Sequence, residues 1–202
     1  LTHLEHLYFP PPFGELEAFC TQGGLSTLAR SLEGKVPHLD HKTIRWPGHA
    51  AQMQFLLALG FGEPQTIDVR THLTYRDVLV RKMRQRLGSE QPDVLLMRVL
   101  VRGKKDGVEK TLLYETIEEY DAEDKTTAMR RATAIPTVVL ALRLARGEVP
   151  GGGAAPPEYV VDRGAYLDDI RARGIGIRER WFDGYLNVTD ATLAQASQEA
   201  GT

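Results

Sequence analysis

The stretch DVLLMRVLVRGKKDGVEKTLLYETIEEYD, residues 93–121, decides the fold class. Two runs rich in Val, Leu and Tyr, Asp93–Gly103 and Val108–Asp121, flank Lys104-Lys105-Asp106-Gly107. A tight hairpin turn needs two positive-φ positions, and Asp-Gly supplies them because Gly has no Cβ and Asp tolerates the left-handed region. The spacing therefore predicts an antiparallel hairpin in mid-chain. Leu95, Met97, Val99 and Val101 alternate along its first strand, which predicts one apolar face.

Towards the C-terminus, an apolar helix is expected from about Thr126 to Arg146, ended by Gly147. Pro136 lies inside it and removes a backbone donor, so a kink is expected near 132–136. A flexible Gly151–Pro157 loop, a helix over Arg163–Arg173 and a short strand over Ile175–Phe182 follow. Towards the N-terminus, Tyr75–Leu87 has the spacing of a basic amphipathic helix, with Val78, Leu79, Met83 and Leu87 inward and Gly88 as its stop. A short strand is expected over Thr66–Val69. Pro47 opens a helix over Gly48–Leu59, with Met53, Leu56, Leu57 and Leu59 as its apolar stripe and Gly60 at its end. Val36–Trp46 has the pattern of a strand, and Ser26 that of an N-cap for a short helix ending before Gly34. Gly23-Gly24 suits a turn, and Gly14–Cys20 a strand with Leu16, Ala18 and Cys20 on one side and Glu15, Glu17 and Phe19 on the other.

Strands and helices alternate irregularly around a central hairpin. That pattern predicts an α+β fold, a mostly antiparallel or mixed sheet with helices packed on one face. Pro10, Pro11 and Pro12 make residues 1–13 an extended lead-in, the domain is expected over 14–182, and 183–202 as a loosely held tail.

Composition narrows the function. Apolar residues are 42% and charged residues 26% of 202, enough to build a core. A net charge of −2 gives no basic excess to grip nucleic acid. The longest apolar stretch, Thr137–Leu142, is too short for a bilayer, so no membrane partner is expected. The single Cys20 cannot close an intrachain disulfide, which favours a reducing, cytoplasmic setting. Leu1 in place of Met and the Pro-rich opening suit a piece of a longer chain.

A dinucleotide cradle needs glycines that let backbone N–H groups approach a pyrophosphate at a helix N-terminus. The nearest candidate, Gly174-Ile175-Gly176, has Glu179 where the third glycine belongs, and Gly151-Gly152-Gly153 leads to prolines. No cofactor-binding residue is assigned. The H-x-x-H of His38 and His41 sits on an expected strand, where residues three apart face opposite ways, so no metal site is assigned either.

The chemistry-bearing region is residues 9–60. Arg45 stands just before the helix that begins at Gly48-His49. Guanidinium, free N–H groups and the helix dipole together make a carboxylate receptor. His49 adds a donor that exchanges protons near neutral pH. A surface ion pair for Arg45 and a helix-end role for His49 remain the alternative.

Two phrases, FPPPFGELEAFCTQGGLSTLARSL (9–32) and KTIRWPGHAAQMQFLLALGF (42–61), resemble the start of the second domain of the saccharopine dehydrogenase family, most of all its lysine 6-dehydrogenase branch. TTAMRRATAIPTVVLALRLARGEV (126–149) and YLDDIRARGI (166–175) resemble its later half. The resemblance spans about 9–177, strongest in the first third and looser in the hairpin, and Gly151–Ala155 departs from the pattern. It implies a domain that closes over a separate Rossmann domain, absent from this chain, which binds NAD or NADP. It also implies a homodimer and an amino-acid substrate, with oxidation of the lysine ε-amine to the semialdehyde. Arg45 would grip the substrate carboxylate. His49, Thr21 and Ser26 would hydrogen-bond the amino acid, and Gly23 and Gly24 would admit it close to the backbone. No catalytic base is assigned. Saccharopine-forming dehydrogenases, polyamine-pathway reductases and a non-catalytic binding or dimerisation module are the alternatives.

Overall fold

The computed structural model describes residues 1–21, 24–68, 70–88, 91–187, 189 and 193. Its strands are β1 (Thr2–Phe9), β2 (Gly14–Cys20), β3 (Thr43–Arg45), β4 (Val94–Lys105), β5 (Val108–Glu119) and β6 (Arg178–Asp183). Its helices are α1 (Leu28–Ser31), α2 (His49–Ala58), α3 (Tyr75–Leu87), α4 (Ala128–Ala145), α5 (Pro157–Val160) and α6 (Arg163–Arg171). The class is α+β as expected, with all strand pairing antiparallel, but the strands form two three-stranded sheets, β1-β2-β3 and β4-β5-β6. The chain divides into two compact units. Leu1–Gly24 and Asp40–Gln91 build the first, Leu25–Leu39 and Pro92–Asp190 the second.

In the first unit, residues 2–9 of the expected extended lead-in form a strand paired with β2. The three prolines only end it, since Phe9 opposes Gly14 across the turn. Leu7 and Phe9 are buried on the same face as Leu16 and Ala18. The strand expected over Val36–Trp46 shrinks to Thr43–Arg45. Pairing with β2 is what makes it a strand, and only Thr43, Ile44 and Arg45 reach Phe19, Ala18 and Glu17. Thr66–Val69 is likewise no strand: Thr66 makes a single bridge to Thr74, and Val69 lies outside the described residues.

The helix α3 keeps its expected bounds. Its start is fixed by a reciprocal capping box, in which Asp77 N–H donates to the Thr74 hydroxyl at 3.0 Å and the Thr74 N–H donates to Asp77 at 2.9 Å. None of its residues is fully buried: of the inward stripe, Val78, Leu79 and Met83 are partly buried and Leu87 is exposed. In α2 only Ala50 is buried, and Leu57 and Leu59 of the expected stripe are exposed.

The second unit is organised by the hairpin. Its loop is two residues, Asp106-Gly107 with φ of 55° and 80°, and Lys105 opposes Val108. Tight closure locks a twelve-residue register down to Val94 opposite Glu119. The strand β6 adds to the far side of β5, from Glu115 opposite Arg178 to Lys110 opposite Asp183. The helix α4 runs unbroken through Pro136. Asp93, just before β4, accepts the N–H groups of Ala128 and Met129 at 2.7 and 3.0 Å and so anchors the start of α4. Val139, Ile170 and Ile175 form a core, with Ile135, Tyr166 and Ile177 against it.

Two expectations change here. The N-cap position of α1 is Thr27, not Ser26: the helix begins at Leu28, Ser26 sits at φ 42°, and Thr27 occupies the cap position without a side-chain capping bond. The segment after Asp183 is not loose at its start. Gly184 N–H donates to Glu109 O, Leu186 N–H donates to the Thr111 hydroxyl, and Arg102 reaches Asn187 at 2.6 Å. The rest of the tail lies almost wholly outside the described residues. Among the described residues, no helix is long and apolar enough to cross a membrane.

Candidate functional site

Alternation on β2 sends Glu15, Glu17 and Phe19 to one face of the first sheet, and antiparallel register brings Arg45 beside Glu17 and Thr43 beside Phe19 on that face. Thr21 continues the row, and its hydroxyl meets that of Thr43 at 3.1 Å. The start of α2 lies over this face. The His49 ring stacks on Phe19, with centroids 6.1 Å apart and planes 13° from parallel. Of the five candidate residues that are described, four thus belong to the first unit, and three of them, Thr21, Arg45 and His49, share this face. The fourth, Gly24, stands beside His41, whose imidazole fills the space a Cβ would take. Ser26 belongs to the second unit. Gly23 lies outside the described residues.

The helix end itself departs from expectation. Its first N–H groups are not free. Glu17, only 3% exposed, accepts Gly48 N–H on Oε2 at 3.0 Å and Ala50 N–H on Oε1 at 2.5 Å. The His49 N–H closes on Trp46 O at 3.3 Å. The chain supplies its own carboxylate to the positive end of α2, so the receptor inferred from Arg45 plus a vacant helix end is reduced to Arg45. Gly48 permits this approach. It adopts φ 91°, in the left-handed region that favours glycine, and turns the chain from β3 into the helix.

Arg45 is exposed on the edge strand of its sheet. Its Nη1 donates to Ile44 O at 2.7 Å, and among the described residues no carboxylate pairs with it. Its neighbour in register, Glu17, is already consumed. Lys42, by contrast, points to the opposite face. There it meets Glu5 at 2.6 Å and Asp40 at 3.6 Å. Burial opposes its charge, but the hydrogen bond and charge of Glu5 outweigh that and hold Lys42 above its ordinary pKa.

Thr43, Glu17 and Phe19 were not assigned roles from sequence. Thr43 was discoverable once Thr43–Arg45 is read as a strand facing Phe19. The Glu17 contact spans 31 residues and has no local signature.

The glycines nearest to a nucleotide fingerprint are used internally. The Gly176 N–H donates to Glu118 at 2.9 Å, and Gly174 O accepts from Arg131 at 3.1 Å. Ile175 between them is buried. Among the described residues these groups do not fit a pyrophosphate cradle.

The saccharopine dehydrogenase C-terminal domain model matches residues 1–175, and the chain belongs to that family.

Proposed function

We propose that this saccharopine dehydrogenase C-terminal domain is the substrate-side part of an NAD(P)-dependent amino-acid dehydrogenase acting on the ε-amine of L-lysine, as in the lysine 6-dehydrogenase branch. One observation carries the reading. An exposed Arg45 without a carboxylate partner among the described residues stands on the same face as His49 and the Thr21–Thr43 hydroxyl pair. Family membership supports amino-acid dehydrogenase chemistry. The nicotinamide cofactor supplies the redox step and is held by a separate nucleotide-binding domain. This chain's residues bind and orient. Arg45 takes the substrate carboxylate through two parallel hydrogen bonds, and the hydroxyl pair and His49 offer donors and acceptors to its amino group. The setting is cytoplasmic.

The test uses the full natural protein, assayed with lysine, saccharopine and carboxyspermidine against NAD and NADP. Arg45→Lys keeps the charge but loses the planar grip, and loss of a charge-assisted bond of about 1.5–3 kcal/mol lowers kcat/KM about ten- to two-hundred-fold. A folded Arg45→Lys enzyme with unchanged kcat/KM removes Arg45 from the site. Turnover of saccharopine or carboxyspermidine without lysine moves the chain to another branch.

We further propose self-association through the second sheet. Met97, Val99 and Val101 on β4 and Trp181 on β6 lie on one face and are 44–51% exposed. Contiguous apolar surface of this kind is characteristically covered by a partner, here a second copy. Sedimentation showing only monomer at high micromolar concentration overturns this.

A further inference from the structure

The helix α2 offers a place where a substrate carboxylate would bind well, and the fold has already filled it. Glu17 projects from the middle strand of its sheet and is almost wholly buried. It spends one oxygen on Gly48 N–H and the other on Ala50 N–H. Had it turned to Arg45, its partner in register, the guanidinium would be neutralised and the helix end left open. The observed arrangement does the reverse. It quenches the helix end and leaves the guanidinium available.

We propose that Glu17 is a positioning residue that sets carboxylate specificity: by occupying the start of α2 it leaves Arg45 as the single carboxylate receptor on this face, which suits a substrate carrying one carboxylate there rather than two. The inference rests on the substrate-binding reading of Arg45. Lys42 faces the other way and is held by Glu5, and α2 itself contains no Lys or Arg. Among the described residues of this sheet and helix, Arg45 is therefore the one guanidinium or ammonium on the face. His49 stands between the two residues whose N–H groups Glu17 holds. Its place over Phe19 accordingly depends on the same clamp.

The experiment is nuclear magnetic resonance on the whole 202-residue chain, with two readouts. The first is hydrogen exchange at Gly48 and Ala50. Amides at the very start of a helix have no intrahelical acceptor and exchange freely. Here both are expected to be protected in the wild type, and Glu17→Gln, which keeps the shape but has one acceptor oxygen in place of two, speeds exchange at the amide left without an acceptor about tenfold or more. Unprotected amides in the wild type overturn the clamp without need of any variant. The second readout is the Arg45 Nε–H resonance, titrated with pentanoate and with glutarate. The expected result is similar affinity for the two, within about threefold, because one receptor engages one carboxylate. Glutarate binding about tenfold tighter or more reveals a second receptor and overturns the specificity claim alone. An Arg45 resonance that answers neither anion, with the amides still protected, overturns the specificity claim together with the substrate reading. In Glu17→Ala, formate is expected to shift the Gly48 and Ala50 amides by entering the vacated place. Failure to do so in a folded variant counts against the clamp as an anion site.

Discussion

Each sheet buries glutamate on its middle strand, and two of these residues, Glu17 and Glu115, are satisfied in different ways. Glu17 on β2 is held by neutral backbone N–H groups at a helix end. Glu115 on β5 is held by a full charge, with Arg98 Nε and Nη2 donating to Oε2 at 3.1 and 2.6 Å, and both side chains are 3% exposed. The second arrangement is internal to its sheet, since Arg98 and Glu115 are directly opposed on neighbouring strands. It fixes register and buries the charges within the pair. The first ties a sheet to a helix and leaves the neighbouring Arg45 exposed. A buried carboxylate thus welds one sheet and prepares a surface on the other.

The largest test of this contrast is to break the ion pair. Removing one partner of a buried pair strands the other charge, so Arg98→Met is expected to cost about 3–5 kcal/mol in denaturant unfolding. The double variant Arg98→Met/Glu115→Leu should recover most of that loss, because the stranded charge is gone. A single variant within about 0.5 kcal/mol of wild type, the range of ordinary surface substitutions, would show that the pair is not the weld. At the helix end the loss is smaller. Glu17→Gln leaves one buried N–H without an acceptor and is expected to cost about 1–3 kcal/mol. If it costs as much as Arg98→Met, the two carboxylates are equivalent and the contrast fails.

Smaller again is the anchor of α4. Asp93→Ala removes the acceptor for Ala128 and Met129 N–H, and a drop of about 0.5–2 kcal/mol is expected by thermal unfolding. The smallest effect concerns Asp77, an exposed carboxylate that, like Glu17, serves a helix start. The Thr74 hydroxyl first and the Thr74 N–H second hold its pKa below the ordinary aspartate value, and the nearby Arg76 acts the same way. With the folded value depressed, the stabilisation is present above the unfolded pKa and is lost as pH falls through the folded one. An acid titration following the Asp77 carboxyl resonance should find it low, and Thr74→Ala should return it towards the usual value. An ordinary value in the wild type would mean that the box is open in solution.

What was legible in the sequence was what short-range chemistry decides. Asp106-Gly107 fixed the hairpin, and Gly48, Gly60 and Gly88 bounded their helices. Glu15, Glu17 and Phe19 fell on one face because alternation in a strand requires it. What was hidden depends on distant partners. The strand β1 carries Thr, His and Glu among its apolar residues, and only pairing with β2 shows Leu7 and Phe9 to be core. Val36–Trp46 has the pattern of a strand with many polar side chains, yet β2 pairs with only its last part. Arg45 and His49 could be nominated from local pattern. Their setting could not, because the carboxylate that closes the helix end lies 31 residues upstream.

The brevity of β3 has a consequence for encounters with other chains. An edge strand exposes a ladder of backbone donors and acceptors, and a long flat ladder invites another strand to add to it. Three residues, with a charged Arg45 at the last and Pro47 two positions on, make too short a template. The side of the sheet that presents the guanidinium is thereby poorly suited to self-templating, and a small molecule meets less competition there from stray polypeptide.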